Sequence, residues 1–587
     1  MNIIGINAFH GDSAACLVTD GRLVSAAEEE RFRRVKHWAG FPSKAIEFCL
    51  QDNGMVLQDI DLIAINSDPG AARWQKICLV LSGKVSGALI REKLRTRKKR
   101  SGVAAQLAAA FSEQEFRGKV EHVEHHLAHL ASAYTVSPYA DASVISVDGF
   151  GDFASAAWGF GSDRNIQIEE RVYFPHSLGI FYQAMTQALG FPHYGDEYKV
   201  MGLAPYGEPK YRDLMDQILS VTETGQIRLN LDYFTHHKTP IGYQWDDDAP
   251  QVSALFSQEL PELIGTVRDP GGPLEQHHYD LARSIQDAYE RAFMQMLNLL
   301  HTNHSVDNLA IAGGCGMNSV ANGKIHLCTP YNNIYVQSAA GDAGGAIGAA
   351  VVAAQRHDDW SPNFVMQHAY WGAEFSDESI EQTLSAAVEL VNQANCHVES
   401  SLPMQTIFER VSDSLIEGKV VGWFQGAMEW GPRALGNRSI LGDPRRTDMK
   451  DILNLKIKRR ESFRPFAPSV LREHVAEWFE SDADVPFMMK VFQIQEHKRG
   501  QIPAVTHIDG SGRLQTVTRD HNPHYYDLIH TFYRKTGVPM LLNTSFNENE
   551  PVVCQPQEAL DCFLRTDMDV LVMGSHMVSR TGNAESS

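Results

Sequence analysis

Apolar runs separated by turns of glycine and aspartate open the chain. Residues 2–8 (NIIGINA) predict a strand, the turn HGD follows, and SAACLVTD and LVSAAEE predict two further strands joined by a turn at Gly21. Residues 143–160 (SVISVDGFGDFASAAWGF) repeat the arrangement, with a turn that contains two aspartates and two glycines. Each segment therefore predicts an antiparallel hairpin whose turn can approach an anion closely.

A hairpin of this kind, repeated in two halves of one chain, is typical of the duplicated fold of actin-like ATPases and sugar kinases. Two unrelated hairpins are the alternative. Two later glycine clusters favour the duplicated fold. Residues 309–325 (LAIAGGCGMNSVANGKI) predict a buried strand, a glycine loop and a helix whose N-terminus can face negative charge. Residues 334–354 (IYVQSAAGDAGGAIGAAVVAA) predict a strand, a loop containing Asp342 and a small-residue helix that can pack closely on another helix.

Three histidines stand in EHHLAHLASAY, a segment otherwise typical of a helix. In a helix His125 and His129 share one face, and His126 points away from it. Such a pair can hold a metal ion, although surface or core histidines are the alternative. Together with Asp148 and Asp342 the pair gives a mixed nitrogen and oxygen set suited to Fe(II), Mn(II) or Zn(II). His126 is then either a supporting group or a general base.

The sequence changes in character near residue 355, where QRHDDWSPNFVMQHAYWG is typical of a linker. We therefore predict two domains, residues 1–357 and 358–587. In the first, residues 194–207 (YGDEYKVMGLAPYG) predict a tight functional loop. In the second, GVPMLLNTSFNENEPVV predicts a strand that ends in polar residues suited to orient a small ligand, among them Asn543 and Ser545.

The composition is typical of a soluble globular enzyme, with 43% hydrophobic and 21% charged residues. The N-terminus has no basic segment before its apolar run, and no run of about eighteen apolar residues occurs, so we expect a cytoplasmic protein with no membrane partner. The eight cysteines include no CxxC pair, which argues against a zinc knuckle or a disulfide framework.

The formal net charge of −20 argues against a nucleic-acid partner. Two segments of the chain are nevertheless rich in basic residues. The run REKLRTRKKR (91–100) predicts a solvated helix face or an insertion, with docking of a partner as the alternative. From Arg433 to Arg464 the basic residues alternate with glycine, proline and phenylalanine, a pattern typical of a pocket for a polyphosphate or an acyl phosphate. Salt bridges to acidic residues account for some of these side chains.

Motifs along the chain resemble the NodU/CmcH family of O-carbamoyltransferases. They are, in order, GINAFHGDSAACL, AAEEERFRRVKH, HHLAHLASAY, SVDGFGD, DEYKVMGLAPYG, GGCGMNSVANG, GDAGGAIGAA, WGPRALGNRSIL, ESFRPFAPSV and LLNTSFNENEPVV. The resemblance runs from residue 1 to about residue 575. It implies an α/β protein whose N-terminal half is actin-like, binds metal and nucleotide, and is similar to the enzymes that transfer threonylcarbamoyl to tRNA. The C-terminal half is then similar to the YrdC-like carbamoyl-adenylate synthase.

The resemblance also implies a reaction in two stages. Carbamoyl phosphate and ATP, with Mg(II), give O-carbamoyl adenylate in the C-terminal half. The carbamoyl group then passes to a hydroxyl of a small acceptor, a sugar or a secondary metabolite, in the N-terminal half.

Each group of site residues follows from the positions that match the family. The metal ligands, with iron as the usual ion, are His125, His129, Asp148 and Asp342. The residues expected around the nucleotide and the phosphates are Gly313, Gly314, Asn318, Gly344, Arg433, Arg438, Lys458, Arg460, Arg464, Asn543 and Ser545. The residues expected to act on the acceptor are His10, Asp12, Lys36 and His126, with His37 beside Lys36.

Two positions depart from the family pattern. Relatives carry a histidine directly before the aspartate of the first turn, where this chain has Gly11 preceded by His10, and Tyr198 stands where glycine is common. The acceptor therefore stays open. So do three alternatives: a sugar-kinase-like phosphotransferase, threonylcarbamoyl transfer to tRNA, and a non-catalytic, metal-dependent nucleotide sensor. The oligomeric state is also open, with a homodimer as one option.

Overall fold

The structure, a computed structural model, describes residues 1–81, 102–244, 250–265, 267–361, 363–459 and 463–581. It divides into an N-terminal unit, Met1–Met366, and a C-terminal unit, Gln367–Ser587. The basic run 91–100 and Arg460, both singled out above, lie outside the described residues. Across the described ranges, no helix combines the length and the apolar character that crossing a bilayer requires.

Two five-stranded sheets form the centre of the N-terminal unit. The first contains β1 (Asn2–Asn7), β2 (Ala14–Thr19), β3 (Arg22–Glu28), β4 (Leu62–Ile65) and β5 (Lys119–His122). The second begins with β6 (Asp141–Gly151), β7 (Ala154–Ser162) and β8 (Asn165–Tyr173). Two short hairpins follow, β9 (Leu219–Val221) with β10 (Ile227–Leu229) and β11 (Tyr243–Gln244) with β12 (Gln251–Val252). The second sheet is completed by β13 (Asn308–Ala312) and β14 (Asn333–Val336).

The two sheets share one topology. Their strand orders are β3-β2-β1-β4-β5 and β8-β7-β6-β13-β14. In each sheet the first three strands of the order form an antiparallel meander, and the last two run parallel to the central strand. The predicted hairpins are β1–β2 and β6–β7, in equivalent places. The duplicated actin-like fold is therefore confirmed, and the alternative of two unrelated hairpins is wrong.

Helices connect and cover these sheets. In the N-terminal unit they are Glu30–Arg33, Ser43–Asp52, Arg73–Leu81, Val103–Ala110, His125–Tyr134, Leu178–Ala188, Glu197–Leu203, Arg212–Ile218, Glu259–Ile264, Gln276–Asn303, Ser319–Cys328 and Gly344–Arg356. The tight loop predicted over 194–207 is wrong, because half of that segment is the helix Glu197–Leu203 and a 3-10 turn, Ala204–Tyr206, follows it. The apolar side chains Val200 and Leu203, three residues apart, are fully buried, and this spacing outweighs the local density of glycine.

The helices His125–Tyr134 and Gly344–Arg356 pack against each other through backbone. A Cβ atom added at Gly348 would lie 1.7 Å from the carbonyl oxygen of Ala128. A Cβ atom at Gly5, on β1, would lie 2.0 Å from the carbonyl oxygen of Ala346. The small-residue helix therefore lies closely against both a helix and a strand, which confirms the close packing predicted from its composition.

A nine-stranded mixed sheet forms the centre of the C-terminal unit. Its strands are β15 (Cys396–Glu399), β16 (Val421–Phe424), β17 (Arg438–Gly442), β18 (Ala467–Leu471), β19 (Lys490–Gln493), β20 (Ser511–Val517), β21 (Met540–Ser545), β22 (Val570–Met573) and β23 (His576–Arg580). The strand order is β15-β23-β22-β16-β17-β21-β18-β20-β19. Helices of this unit are Asp377–Ala386, Val388–Gln393, Met404–Ile416, Met449–Leu453, Val475–Trp478, Pro523–Thr536 and Pro556–Arg565. The α/β class predicted for both halves is confirmed.

The packing of the two helices yields a first prediction. Gly348→Ala places a methyl group against the carbonyl of Ala128, so we expect the free energy of unfolding of the N-terminal unit to fall by about 1–3 kcal/mol. The measurement is the urea midpoint of the transition that reports on this unit. Gly242→Ala is the matched control, because a Cβ atom there meets nothing closer than 3.9 Å. Equal midpoints for the two variants would contradict the close contact.

Candidate active site

The second hairpin and the helix His125–Tyr134 hold each other in place. Glu124 caps the helix by accepting from the backbone N–H groups of His126 and Leu127. Asp152, in the turn of the hairpin, accepts from the backbone N–H of His125 at 3.0 Å. A Cβ atom at Gly151 would lie 2.0 Å from the His125 ring, so only glycine leaves room for the imidazole there.

The structure brings the four predicted metal ligands together. The Nε2 atoms of His125 and His129 are 3.0 Å apart. Asp148 Oδ2 lies 3.2 Å and 3.1 Å from these two nitrogens, and Asp342 Oδ1 lies 3.6 Å and 3.5 Å from them. Both histidines are fully buried. One donor atom from each of the four side chains lies within 4.8 Å of the others.

This donor set fits a divalent transition metal. Two imidazole nitrogens that face each other at 3.0 Å form a hydrogen bond only if one of them carries a proton. Asp342 Oδ1 is buried and has no hydrogen-bond partner among the described residues. A buried, partly unsatisfied group of two imidazoles and two carboxylates matches the ligands of Fe(II), Mn(II) or Zn(II). The identity of the ion stays a prediction.

The pKa shifts within the cluster also agree with a site for a cation. Burial would raise the pKa of Asp148, but contact with His125 and His129 holds it well below the usual range. Burial and the neighbouring charge of Asp148 raise the pKa of Asp342. Burial would lower the pKa of His129, yet the two carboxylates raise it to about 9. A proton on His129 therefore supplies positive charge that a bound cation would replace, because metal ligands must be deprotonated.

His126 lies next to the four predicted metal ligands, which are called the metal-ligand cluster below: its ring is 5.2 Å from that of His125 and 6.1 Å from that of His129. Its side chain has no exposed surface, and its Nδ1 contacts the hydroxyl of Ser146 at 2.9 Å. Burial, followed by the charge of His125, lowers the pKa of His126 to about 3, so the ring is neutral. This position favours the supporting role over that of a general base, because a substrate hydroxyl has no access to the ring.

The first turn carries a charged pair. The Nδ1 of His37 lies 2.6 Å from Asp12 Oδ1, and the backbone N–H of His37 donates to Glu30 Oε2 at 2.8 Å. Burial would lower the pKa of His37, but Asp12 raises it to about 9. Lys36, the next residue in the chain, is half-buried. His37 was predicted only as a neighbour of Lys36, and Glu30 was not among the predicted residues, although both lie in the EEERFRRVKH motif.

The same turn lies beside the metal-ligand cluster. The ring of His10 is 5.6 Å from the ring of His125. Tyr194 covers the turn: its ring is 5.1 Å from that of His37, and a Cβ atom at Gly11 would lie 2.9 Å from it. The ring of Tyr194 therefore occupies the space into which a side chain at position 11 would extend.

The glycine loop after β13 also reaches the metal-ligand cluster. The backbone N–H of Gly314 donates to Asp148 Oδ1 at 3.2 Å, and Gly313 has φ of 88°. Asn318 caps the helix Ser319–Cys328 and exchanges hydrogen bonds with Gln286. Gly344 begins the helix that follows Asp342. Gly313 and Gly314 therefore lie in the loop that contacts Asp148, and Gly344 lies two residues after Asp342. Asn318 instead stabilises the conformation of the loop.

In the C-terminal unit, Arg438 and Asn543 are buried and form several hydrogen bonds to the protein. The guanidinium of Arg438 is buried, lies 3.7 Å from the centroid of the Phe424 ring and donates to the carbonyls of Gln425, Gly426, Asn437 and Ala373. Burial lowers its pKa to about 10, which leaves it charged. The amide of Asn543 donates to Ala434, Ser469 and Gln515. Both positions favour a structural role over direct contact with phosphate.

Lys458 and Ser545 meet at the end of β21. The Lys458 ammonium contacts the carbonyl and hydroxyl oxygens of Ser545, at 2.6 Å and 3.3 Å, and two oxygens of Asn547. Asn547 stood in the polar end of the predicted strand but not among the predicted ligands. Arg433 and Arg464 are half-buried. Lys458, by contrast, is 1% exposed. Of these predicted phosphate residues, Arg438, Asn543 and Lys458 are therefore buried, whereas Arg433 and Arg464 are partly accessible.

Comparison with known proteins gives matches over most of the chain. The family model described as Carbamoyltransferase N-terminus matches residues 2–351, and Carbamoyltransferase C-terminus matches residues 412–580. The chain is 38% identical to Nodulation protein NolNO of Sinorhizobium fredii (strain NBRC 101917 / NGR234), over 99% of this chain and 80% of that protein. It is 39% identical to Nodulation protein NolO of Bradyrhizobium diazoefficiens, over 78% of this chain and 79% of that protein.

Among solved structures, the chain is similar to the crystal structure of T. kodakarensis HypF, with 14% identity and a TM-score of 0.30, over 62% of this chain and 49% of that one.

The donor set predicts the metal content of variants. His129→Ala and Asp148→Asn each remove one of four ligands, so we expect bound transition metal to fall from about one ion per chain to a small fraction. The measurement is elemental analysis after anaerobic loading with Fe(II), Mn(II) or Zn(II) and desalting. His122→Ala is the control, because His122 is a half-buried histidine on β5 outside the donor set. Full occupancy in His129→Ala would show that the four residues do not bind metal.

Arg438 gives a second prediction. Arg438→Met removes the guanidinium donor from four backbone carbonyls, of which Asn437 O keeps the backbone N–H of Gln425. The free energy of unfolding of the C-terminal unit should therefore fall by about 3 kcal/mol or more. Thermal and urea denaturation measure it. Arg446→Met serves as the control, because Arg446 forms an exposed ion pair with Asp448 whose loss costs little. Unchanged stability together with lost affinity for ATP would instead assign Arg438 to phosphate binding.

Proposed function

The chain belongs to the carbamoyltransferase family, and on that premise we propose that it is an ATP-dependent O-carbamoyltransferase that forms O-carbamoyl adenylate and passes the carbamoyl group to a hydroxyl of a small molecule. One observation carries the proposal beyond the family. In the N-terminal unit, two buried histidines and two partly buried aspartates converge, the glycine loop contacts this group through Asp148, and the first turn contacts it through His10. That arrangement suits transfer from a nucleotide-bound electrophile to a neighbouring acceptor.

The proposed reaction proceeds through carbamate and its adenylate. Phosphate leaves carbamoyl phosphate as water converts it to carbamate. A carbamate oxygen attacks the α-phosphorus of ATP, and pyrophosphate leaves. The acceptor hydroxyl then attacks the carbamoyl carbon, its proton passes to a base, and AMP leaves. Adenylation gives the carbamoyl carbon a good leaving group, which free carbamate lacks.

The N-terminal unit would carry the second stage. A divalent cation held by His125, His129, Asp148 and Asp342 would supply Lewis-acid polarisation of the carbamoyl or phosphoryl oxygen. Backbone N–H groups of the glycine loop suit the adenylate phosphate. His10, which lies beside the His125 ring, faces the same region.

The first turn would bind the acceptor. With the pKa of His37 raised to about 9 by Asp12, the ring is an imidazolium at neutral pH and pairs with the side chain of Asp12. The carboxylate can accept a hydrogen bond from the acceptor's hydroxyl, and the imidazolium can stabilise negative charge that develops nearby. Lys36 would add a second positive group at this place.

The C-terminal unit would carry adenylation. Arg433 and Arg464 are the cationic groups proposed to neutralise the phosphates of carbamoyl phosphate and Mg(II)-ATP. Lys458 is 1% exposed and would instead stabilise the end of β21 through its contacts with Ser545 and Asn547. The oxygen-rich end of β21, where Ser545 and Asn547 meet Lys458, supplies polar groups of the kind that orient a small ligand.

The test separates the two stages and needs no acceptor. The purified protein is incubated with ATP and Mg(II), with and without carbamoyl phosphate, and pyrophosphate is quantified. We expect pyrophosphate only with carbamoyl phosphate. Arg433→Ala should lower its rate by about 100-fold, the usual effect of removing one group that stabilises developing charge. His129→Ala should leave it unchanged, because its site serves the second stage.

The opposite results are equally clear. Accumulation of ADP without pyrophosphate would favour a kinase-type reaction. Pyrophosphate lost in His129→Ala but kept in Arg433→Ala would move adenylation to the N-terminal unit.

A further inference from the structure

One buried carboxylate organises the loop 430–438, which carries Arg433. Glu429 is 4% exposed. Its Oε1 accepts three backbone N–H groups, from Leu435 at 2.7 Å, Asn437 at 2.9 Å and Arg438 at 3.1 Å. Three donors on one oxygen fix the second half of the loop from the inside, and charge-assisted hydrogen bonds of this kind are about twice as strong as neutral ones.

Two carbonyl groups of the loop also accept hydrogen bonds. Ala434 O accepts from the amide of Asn543 at 3.0 Å. Leu435 O accepts from the Tyr370 hydroxyl at 2.9 Å and from the Gln515 amide at 2.7 Å. Three N–H groups and two carbonyl groups of the second half of the loop are thus bound to separate partners, which restricts its backbone strongly.

The backbone conformation also depends on glycine. Gly431 and Gly436 have φ of 106° and 109°. A Cβ atom at Gly436 would lie 2.1 Å from the ring of Tyr525. Between these two glycines stands Arg433, whose side chain is half-buried. A loop this tightly determined, with one accessible arginine between its two bends, is suited to hold a guanidinium in a fixed direction.

We propose that Glu429 is a positioning residue for the phosphate-binding site: by gathering three backbone N–H groups it fixes the loop that aims the Arg433 guanidinium at a phosphate of the substrates. The inference rests on the proposed function. An arginine fork pairs with two phosphate oxygens only in a narrow range of directions, so its value depends on the backbone that carries it. Glu429 acts through Arg433 and has no contact with substrate.

The chemistry of the carboxylate suggests graded variants. Glu429→Gln keeps an oxygen that can accept the three N–H groups, but without charge. Its amide nitrogen takes the place of Oε2, which is buried and has no hydrogen-bond partner in the described ranges. Glu429→Ala removes the acceptor altogether. Glu374→Gln is the matched control, because Glu374 is an exposed carboxylate that also contributes to the electrostatic environment of Arg438.

The experiment measures carbamoyl-phosphate-dependent pyrophosphate formation and the melting temperature of each full-length variant. We expect Glu429→Gln to lower kcat/KM by about 10-fold and Glu429→Ala by about 100-fold, since a misplacement of about 1 Å costs that much. The loss should lie mainly in KM for carbamoyl phosphate or ATP. Glu374→Gln should match the wild type.

A double-mutant cycle separates positioning from a general structural role. In the Arg433→Ala background, Glu429→Gln should change kcat/KM by less than about 2-fold, because the group through which it acts is gone. A full 10-fold loss in that background, or an unchanged KM in Glu429→Gln alone, would overturn the inference. If Glu429→Ala does not fold, the cycle with Glu429→Gln decides alone.

Failure of the proposed function has a different signature. If the wild type forms no pyrophosphate, the reaction is wrong, and the inference is then tested by calorimetric binding of inorganic pyrophosphate to the wild type, Glu429→Gln, Arg433→Ala and the double variant. The same non-additive pattern in affinity would support it, and additive losses would overturn it.

Discussion

The N-terminal site depends on how closely two helix backbones approach. Gly348 has no room for a side chain against the carbonyl of Ala128, the residue before His129. Asp342 stands just before the helix that contains Gly348. Residues that share a metal ion must have their donor atoms within a few ångströms of one another. If the two helices were moved apart by the width of one methyl group, Asp342 would lie too far from the other three side chains to share an ion with them. The small-residue composition of the helix Gly344–Arg356 is therefore a requirement of the site.

The two units prepare their sites by different physical means. In the N-terminal unit, charged and titratable side chains converge in the interior, and two buried carboxylates are balanced by protons or by a cation. In the C-terminal unit, the buried side chains of Glu429 and Arg438 form hydrogen bonds to backbone N–H and carbonyl groups. Other basic side chains, such as that of Arg433, stay partly accessible. The first arrangement has the donor types that a metal ion would need, whereas the second makes a rigid frame.

Much of the fold could be predicted because its signals are local. The repeated hairpins, the glycine clusters and the four-residue spacing of His125 and His129 are visible in short windows, and the structure brings these segments together. The error over 194–207 arose because glycine density was given more weight than the apolar spacing of Val200 and Leu203. Burial of Arg438 and accessibility of Arg433 could not be told apart, since both stand in one motif and only tertiary packing distinguishes them.

Particular side-chain contacts could not be predicted, for the same reason. Glu429 stands directly before the WGPRALG segment, and no feature of the sequence indicates that it accepts three backbone N–H groups. The pairing of Asp12 with His37 joins residues on either side of β2 and β3. Such contacts depend on the final course of the backbone.

Asp148 uses its two oxygens for two purposes, and this has a thermodynamic consequence. Its Oδ2 faces the two imidazoles, while its Oδ1 accepts from the N–H groups of Gly149 and Gly314 at 2.8 Å and 3.2 Å. A ligand that displaces Gly314 must break this hydrogen bond or move the carboxylate with it. Occupancy of the glycine loop and occupancy of the cation position are then linked equilibria, and each must alter the other's affinity by the same factor.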